Sequence, residues 1–354
     1  MTKKGILLLI LIIVILAFFA GSNFRQGERL FAVKVDGKWG LIDRHGKLVV
    51  KPQFSNLNFW SEGLTGVEIN KKWGFIDDKG KVVIPAQFDN VGMFSEGLAA
   101  VTINGKHGYI NKKGKIIIRP QYYTADKFHE GLAAVWTNGE EYGYINRQGK
   151  AVIEPKIPRG AMFPYKFAGW PTSDFSNGLA CIWIKDGSKY SFIDRKGNIK
   201  KWRFDWVQDF SEGLAPVGKE INGKLKVGYI DTKGKLVIDC KFDMALPFTE
   251  GLAAVWIDKE FFYIDKKGSI VFKVNADNGG VFSNGLAKVC TGDKCGFINR
   301  KGKVVISQKF SPSSGPYELF KGGLANVMES EGGFWVYSYI DKTGKYIFRY
   351  TERK

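Results

Sequence analysis

Residues that commonly carry catalysis or bind metals are scarce in this sequence. Histidine occurs only three times in 354 residues. The chain contains no G-x-S-x-G, H-E-x-x-H or P-loop motif, and no G-x-G-x-x-G between a strand and a helix. His45, His107 and His129 each occupy a position of an internal repeat that other residue types fill in other copies, so none is expected to be a ligand or triad member. We therefore predict a protein that is not an enzyme and has neither a cofactor nor a metal site.

Helical periodicity is also scarce beyond the N-terminus, because glycines and prolines interrupt nearly every stretch long enough for a helix. The 43 glycines and only 11 prolines indicate many tight turns and few disordered linkers. Apolar residues make up 44% of the chain and aromatic residues 14%, which is typical of an ordered protein. These features together predict an all-β fold.

The N-terminus has the pattern of an export segment. Lys3 and Lys4 precede an apolar run from Ile6 to Ala20, so residues 1–22 are expected to be a signal peptide or an N-terminal membrane anchor. An uncleaved anchor is slightly favoured, and a buried strand is the structural alternative. No cysteine follows the run, which argues against a lipoprotein anchor. The positive-inside rule then places the remaining chain outside the cytoplasm, either membrane-anchored or secreted.

A repeat of about 34 residues covers residues 28–350, and its clearest copy runs from Phe94 to Lys115. Each copy ends a short strand with Asx-x-x-Gly, and the closing glycine marks the period. This glycine lies at Gly46, Gly80, Gly114, Gly149, Gly197, Gly234, Gly268, Gly302 and Gly344. Nine copies with a modal spacing of 34 residues indicate one tandem-repeat architecture, with insertions at 156–174 and 311–319.

Each copy is predicted to contain three short antiparallel strands, A, B and C, followed by a turning segment. Strand A reads Leu-Ala-x-Val, and strand C reads Lys-x-Val-Ile-x-Pro, whose proline ends the strand or marks an edge. Strand B ends in an isoleucine that is expected to face the core. This column holds Ile42, Ile76, Ile110, Ile145, Ile193, Ile230, Ile264, Ile298 and Ile340. The following Asp or Asn is expected to cap the B–C turn rather than bind calcium, and the glycine to close it in the left-handed region.

The repeat pattern predicts an all-β fold of tandem repeats of about 34 residues. An elongated superhelical stack of β-hairpin units is preferred. A β-propeller-like arrangement is the alternative, because three strands are fewer than the four of a usual propeller blade.

The repeat resembles the WG (or KWG) β-repeat family of bacteria. The resemblance rests on Lys38-Trp39-Gly40 and Lys72-Trp73-Gly74, each followed by an Ile-Asp-x-x-Gly-Lys pattern that continues as x-Val-Ile-x-Pro-x-Phe-Asp. It weakens where Trp-Gly becomes Tyr190-Ser191, Phe261-Phe262 or Tyr337-Ser338. It implies an envelope-associated binding or scaffolding module and transfers no catalytic residue.

The sequence carries 53 Lys and Arg against 35 Asp and Glu, a net charge of +18, and many of the basic residues lie in the predicted B–C turns. If the repeats stack, these turns form a basic ridge suited to an anionic partner. The insertion at 156–174 adds aromatic residues where repeat proteins often bind. Candidate binding residues are Lys112, Lys113, Lys115, Arg195, Lys196, Lys266, Lys267, Arg300 and Lys301 in the turns, with Tyr165 and Trp170 in the insertion. The alternative is a solvated, lysine-rich edge that only prevents aggregation.

Four cysteines suggest an exported protein that does not depend on disulfides. Cys290 and Cys295 flank a predicted hairpin turn at Gly292-Asp293, where they face each other and could form a cross-strand disulfide. Cys181 and Cys240 fall in strand columns.

The function expected from these patterns is that of a non-catalytic repeat module exported to the cell envelope. Its partner is expected to be an envelope protein, an anionic polymer or a membrane surface, bound through the basic repeat surface. Export makes nucleic acid an improbable partner. A structural spacer without a ligand is the alternative, and an uncharacterised enzyme is the least favoured.

Overall fold

A computed structural model describes residues 30–137, 141–158, 174–184, 189–312 and 319–353. The regular elements of these ranges are β-strands, so the all-β prediction is confirmed. No helix in the described part of the chain is long and apolar enough to span a bilayer. The predicted export segment at 1–22 lies outside the described residues, as do most of the 156–174 insertion and positions 313–318.

The described strands form nine sheets, numbered here in chain order. Sheets 1 to 5 contain β1 (Leu30–Val35), β2 (Lys38–Asp43) and β3 (Leu48–Phe54); β4 (Asn56–Leu57), β5 (Thr65–Ile69), β6 (Lys72–Ile76) and β7 (Val82–Phe88); β8 (Asn90–Val91), β9 (Leu98–Ile103), β10 (Lys106–Asn111) and β11 (Ile116–Tyr122); β12 (Thr124–Ala125), β13 (Leu132–Trp136), β14 (Glu141–Asn146) and β15 (Ala151–Pro158); β16 (Leu179–Ile184) and β17 (Lys189–Asp194). Sheets 6 to 9 contain β18 (Trp206–Val207), β19 (Leu214–Ile221), β20 (Lys224–Asp231) and β21 (Leu236–Phe242); β22 (Met244–Ala245), β23 (Ala253–Ile257), β24 (Glu260–Ile264) and β25 (Ile270–Val274); β26 (Asn278–Gly279), β27 (Leu286–Thr291), β28 (Lys294–Asn299) and β29 (Val304–Phe310); β30 (Leu324–Glu331), β31 (Phe334–Asp341) and β32 (Tyr346–Arg353).

Each sheet is an antiparallel meander of strands in chain order. Strands A, B and C are joined by short turns, and strand C forms one edge in every sheet except sheet 5, which has only strands A and B among the described residues. Prolines such as Pro52 and Pro120 lie inside strand C rather than ending it. An edge position tolerates proline because its missing N–H leaves no ladder hydrogen bond unmade.

The prediction of three strands per repeat is wrong for most sheets. Six sheets begin with a two-residue strand, here called the leading strand, that pairs with strand A. In sheet 3, Asn90 and Val91 of β8 pair with Thr102 and Val101 of β9. Two residues cannot display the period-2 alternation by which a strand is recognised in a sequence. With the leading strand these sheets have four strands, the number in a propeller blade, so the strand count does not favour the hairpin stack.

Within each of the two compact units described below, the core lies between successive sheets, which pack face to face. One cluster joins Ala100, Tyr109 and Ile118 of sheet 3 to Val135 and Ile145 of sheet 4. The predicted isoleucine column is confirmed, since all nine members are between 0% and 3% exposed. A sheet with a neighbour on both sides within its unit therefore contributes alternate side chains to two interfaces, as the pleat requires.

The glycine after the Trp column is fixed by close backbone approach. Opposite Gly108, strand C bulges between Ile118 and Tyr122, and a Cβ on Gly108 would lie 2.5 Å from the carbonyl oxygen of Ile118. Phe262 and Ser338 replace this glycine in sheets 7 and 9, and there strand C pairs without this bulge. The glycine and the bulge therefore occur together.

The chain divides into two compact units. One is formed by Glu28–Arg203 and includes sheets 1 to 5, and the other contains Phe204–Lys354 and sheets 6 to 9.

Replacing Gly108 with alanine tests this close approach. The added methyl group forces the edge strand outward, so we expect the urea midpoint to fall by the equivalent of about 1–3 kcal/mol. Gly92→Ala is the matched control in the same sheet, because its Cβ would meet only ordinary contacts at 3.6 Å or more. The control should leave stability unchanged or slightly raised, and equal losses in both variants would contradict the explanation.

Candidate functional site

The B–C turns have the predicted geometry in all nine copies. In sheet 3, Asn111 Oδ1 accepts hydrogen bonds from the backbone N–H groups of Lys113 and Lys115, both at 3.0 Å. Gly114 closes the turn with φ +79°. The same two bonds to the Asx side chain recur at Asp43, Asp77, Asn146, Asp194, Asp231, Asp265, Asn299 and Asp341. The Asx residues are therefore turn caps, with one carboxylate or amide oxygen used by the turn itself.

A second turn precedes strand A and binds one repeat to the next. We call it the Ser-Glu-Gly turn. Glu96 of this turn lies at φ +53° and accepts a hydrogen bond from the backbone N–H of Gly131 in the following repeat at 2.9 Å. The corresponding carboxylates of Glu62, Glu130, Glu212 and Glu250 accept from Gly97, Gly178, Gly251 and Gly285. These glutamates hold the junction between repeats.

The same junction is held by a serine and an aromatic pair. Ser95 Oγ donates to the backbone carbonyl of Phe128 at 2.6 Å. The ring of Phe128 lies 4.8 Å from the ring of Tyr109, whose hydroxyl donates to the carbonyl of Asp126. Burial raises the pKa of Tyr109 well above its usual value. This phenol therefore stays a neutral donor. An aromatic pair of this kind stabilises the fold by about 0.5–1.5 kcal/mol beyond the contribution of the area that it buries.

The aspartate after strand C also connects repeats. Asp89 accepts a hydrogen bond from Lys72 Nζ at 2.6 Å and from the backbone N–H of Asn104, in the A–B turn of the next sheet, at 2.8 Å. The Lys72 hydrogen bond and the Asn104 N–H lower the pKa of the Asp89 carboxyl. Asp205, Asp243 and Asp277 accept equivalent backbone bonds. These aspartates thus have a structural role.

The predicted basic residues fall into two groups. The first group lies directly after the Asx and contacts the preceding repeat. Lys112 donates to the carbonyl oxygen of Glu62 at 2.8 Å and pairs with its carboxylate at 3.1 Å, and Lys266 does the same at Glu212. A Cβ on Gly131 would lie 3.5 Å from Nη2 of Arg195, and one on Gly251 would lie 3.6 Å from Nη2 of Arg300. Lys112, Arg195, Lys266 and Arg300 therefore cover the Ser-Glu-Gly turns.

The second group faces solvent. It occupies the second position after the Asx and the position after the glycine, and we call it the lysine row. It consists of Lys47, Lys79, Lys81, Lys113, Lys115, Lys150, Lys196, Lys233, Lys235, Lys267, Lys301, Lys303 and Lys345. All are exposed, and their ammonium groups form no ion pair with a described residue.

Within each unit the turns that carry the lysine row stack in sequence. A Cβ on Gly114 would lie 3.1 Å from Ile84 in strand C of the preceding sheet, and one on Gly149 would lie 3.2 Å from Ile118. The equivalent contacts in the second unit are Gly268 on Ile238, Gly302 on Phe272 and Gly344 on Ile306. The lysines of successive sheets are therefore neighbours along one surface of each unit.

Exposed apolar pairs, which sequence reasoning missed, lie beside the lysine row. Strand C starts with two apolar residues that are 37–55% exposed. We call them the apolar doublets: Leu48-Val49, Val82-Val83, Ile116-Ile117, Leu236-Val237, Ile270-Val271 and Val304-Val305. A bulge explains them, because Ile110 pairs with Ile116 and Tyr109 with Ile118, so Ile117 is an extra residue. The unbroken Val-Val or Ile-Ile run was the signal available in the sequence.

Four further residues were singled out from the sequence. Tyr165 and Trp170 fall outside the described residues. Cys290 and Cys295 lie opposite each other in the β27–β28 register and form a disulfide.

Two further polar groups lie at substituted repeat positions; the sequence analysis considered His129 and did not single out Lys288. His129 replaces the serine of the Ser-Glu-Gly turn, and its Nε2 lies 3.0 Å from Asp174 Oδ2. Lys288 replaces the alanine at the third position of strand A and is 6% exposed. Burial lowers the pKa of Lys288 to about 8. The sequence signal for Lys288 is a charged residue at a strand-A position that small residues fill in most other copies.

Glu62→Asn tests the junction between repeats. Asparagine tolerates the positive φ, as Asn177 and Asn284 do at this position. Its shorter side chain loses the hydrogen bond from the Gly97 N–H and the ion pair with Lys112. Because Glu62 is partly exposed, we expect a loss of only about 1–2 kcal/mol, read from the urea midpoint. Lys113→Ala, in the lysine row, should change stability by less than about 0.5 kcal/mol; a larger loss there than at Glu62 would contradict the assigned roles.

Lys288 gives the fold a pH dependence in the alkaline range. The unfolded chain holds this proton up to its usual pKa near 10.5, whereas the folded protein releases it near 8. The unfolded state therefore binds more protons between these values, so stability should rise with pH in that window, by up to about 3 kcal/mol. Lys288→Met should remove this rise, as measured by urea unfolding at pH 8 and pH 10; a rise of the same size in the variant would refute the assignment.

Comparison with solved structures shows low similarity. BamB from Moraxella catarrhalis is 12% identical, with 91% of this chain and 96% of that chain covered and a TM-score of 0.42. Citrobacter koseri AztD is 11% identical, with 90% and 93% covered and a TM-score of 0.43. No curated protein matches the chain.

Comparison with protein families gives a clear match. The family described as WG containing repeat matches seven stretches: residues 39–73, 73–106, 108–140, 142–168, 190–224, 228–259 and 261–295. These stretches cover more than half of the chain and carry the Trp-Gly column, the capped B–C turns and the bulged strand C described above. The chain therefore belongs to the WG containing repeat family.

Proposed function

We propose that this chain is a non-catalytic repeat scaffold that binds a polyanionic partner through the lysine row. The proposal is supported by one observation above all: the repeat's polar residues divide into those that the fold uses and those that it does not. The Asx caps, the junction glutamates and the aspartates after strand C are all occupied by bonds within the protein. The lysine row recurs with the repeat, yet it is exposed and forms no ion pair with a described residue.

The electrostatic setting favours an anionic partner. The sequence carries a net charge of +18. The basic residues directly after the Asx, including Lys112 and Lys266, form ion pairs with the preceding repeat. The lysines of the row stand on successive stacked turns, so their fields add along one surface. A flexible or extended polyanion can neutralise several of them at once, which releases counterions and makes binding salt-dependent.

The proposed compartment is outside the cytoplasm. Its support is the sequence pattern of a basic start followed by the apolar run from Ile6 to Ala20. The partner proposed is therefore an anionic component of the cell envelope rather than nucleic acid. A spacer without a ligand is the alternative, and it predicts that the lysine row can be removed without loss of any association.

Charge reversal in the lysine row tests the proposal. Lys113→Glu combined with Lys115→Glu should weaken binding to soluble polyphosphate by about tenfold or more at 50 mM salt, as measured by titration calorimetry. The salt dependence of the binding constant should become shallower.

The matched control is Lys38→Glu combined with Lys106→Glu. These lysines are equally exposed and carry the same change of net charge, but they lie at the A–B turns, at the opposite end of strand B from the row. Equal weakening of binding in both double variants would mean that net charge alone, and not the lysine row, accounts for the loss. Undiminished binding in the lysine-row variant, or no binding by the unmodified protein, would reject the proposed function.

A further inference from the structure

The bulge in strand C explains why both residues of each apolar doublet are exposed, but neither the fold nor a purely ionic partner requires these exposed residues to be apolar. Edge strands of soluble proteins usually place charged residues at their exposed positions, because these discourage pairing with other chains. Here Ile116 and Ile117 stand at the start of the edge strand, 42% and 40% exposed. Single exposed apolar side chains are ordinary, but an aligned series bordered by charges is typical of an interaction surface.

Within each unit the doublets and the lysine row belong to one surface. Lys115 directly precedes Ile116, and Lys235 directly precedes Leu236. The doublets occur in sheets 1, 2 and 3 of one unit and in sheets 6, 7 and 8 of the other. Since the turns of successive sheets stack and sheets pack about 10 Å apart, each unit presents Lys and apolar pairs in alternation, at about that interval.

We propose that this surface docks on an anionic lipid bilayer, with the lysine row on the headgroups and the apolar doublets inserted at the boundary with the acyl chains. This inference rests on the proposed function and names its partner.

The chemistry of a bilayer interface matches both components of the surface. An anionic leaflet attracts each nearby lysine, and its acyl boundary accepts partly exposed aliphatic side chains. Lysine suits this position further because its aliphatic stem can lie along apolar surface while the ammonium group stays among the headgroups. A soluble polyanion would satisfy the lysines alone and would leave the doublets in water. The doublets are the feature that separates the two partners.

The test uses the full chain, in which residues 6–20 are themselves apolar, so vesicle binding as a whole does not report on this surface. Hydrogen exchange is therefore read locally, at the backbone amides of β21, β25 and β29, whose strands form open sheet edges. The protein is compared on vesicles of phosphatidylglycerol with phosphatidylcholine and on vesicles of phosphatidylcholine alone. We expect exchange at these strands to slow about tenfold on the anionic vesicles and to be unchanged on the neutral ones.

A threonine variant isolates the doublets. Replacing Leu236, Val237, Ile270, Val271, Val304 and Val305 with threonine keeps strand-forming residues at every position and removes apolar surface. The tenfold slowing of exchange on anionic vesicles should disappear in this variant. Binding of soluble polyphosphate should stay within about twofold of the unmodified protein.

The control is Ile221→Thr combined with Leu225→Thr. These residues are 44% and 42% exposed and lie in sheet 6, as Leu236 and Val237 do, but at the A–B turn away from the lysine row. Protection on anionic vesicles should be unaffected in this variant. Circular dichroism and the thermal midpoint of both variants establish that each is folded.

The outcomes separate this inference from the proposed function. Local protection that survives the threonine substitutions overturns the bilayer inference, as does polyphosphate binding without protection on anionic vesicles; the polyanion function stands in both cases. If the unmodified protein binds neither probe, both proposals fail. Loss of protection in the threonine variant with polyphosphate binding intact supports the bilayer as the partner.

Discussion

The junction between successive repeats is the constraint on which the rest of this structure depends. No single sheet of three or four short strands can bury both of its faces, so each must be covered by its neighbours. The Ser-Glu-Gly turn fixes how that happens: in the fullest copies a serine hydroxyl, a glutamate carboxylate and a strand-B aromatic ring each bond or pack on the next repeat. Three different interactions at one place set both the distance and the orientation of neighbouring sheets.

This arrangement assigns most of the recurring polar residues to the fold. A motif with Asp, Glu, Lys and Trp at regular positions invites a catalytic or metal-binding interpretation when one copy is read alone. In the structure Asn111 caps its own turn, Glu96 holds the next repeat and Asp89 bridges two sheets. What the fold leaves unused is the lysine row and the doublets beside it, and these are therefore the features on which a function is proposed.

Much of the architecture was open to prediction from the sequence because the repeat supplies its own internal comparison. The nine isoleucines of strand B identify a core column, and the Asx-x-x-Gly spacing identifies a capped turn. The leading strand was missed because Asn90 and Val91 are too few to show a period. The bulge opposite Gly108 was also missed. The proline marks the edge strand, but a glycine is required at position 108 because a carbonyl oxygen of strand C approaches it closely.

The candidate surface shows what the sequence alone does not determine. By itself the sequence determined the repeat, the strand and turn columns, and the concentration of positive charge in the B–C turns. Only the tertiary structure decided which of those charges face solvent. Lys112 and Lys113 are adjacent and chemically identical, yet Lys112 bonds Glu62, which lies 50 residues earlier, whereas Lys113 points outward. The difference arises because a contact between repeats depends on how one sheet is placed on another, and the sequence of a turn does not by itself give that placement.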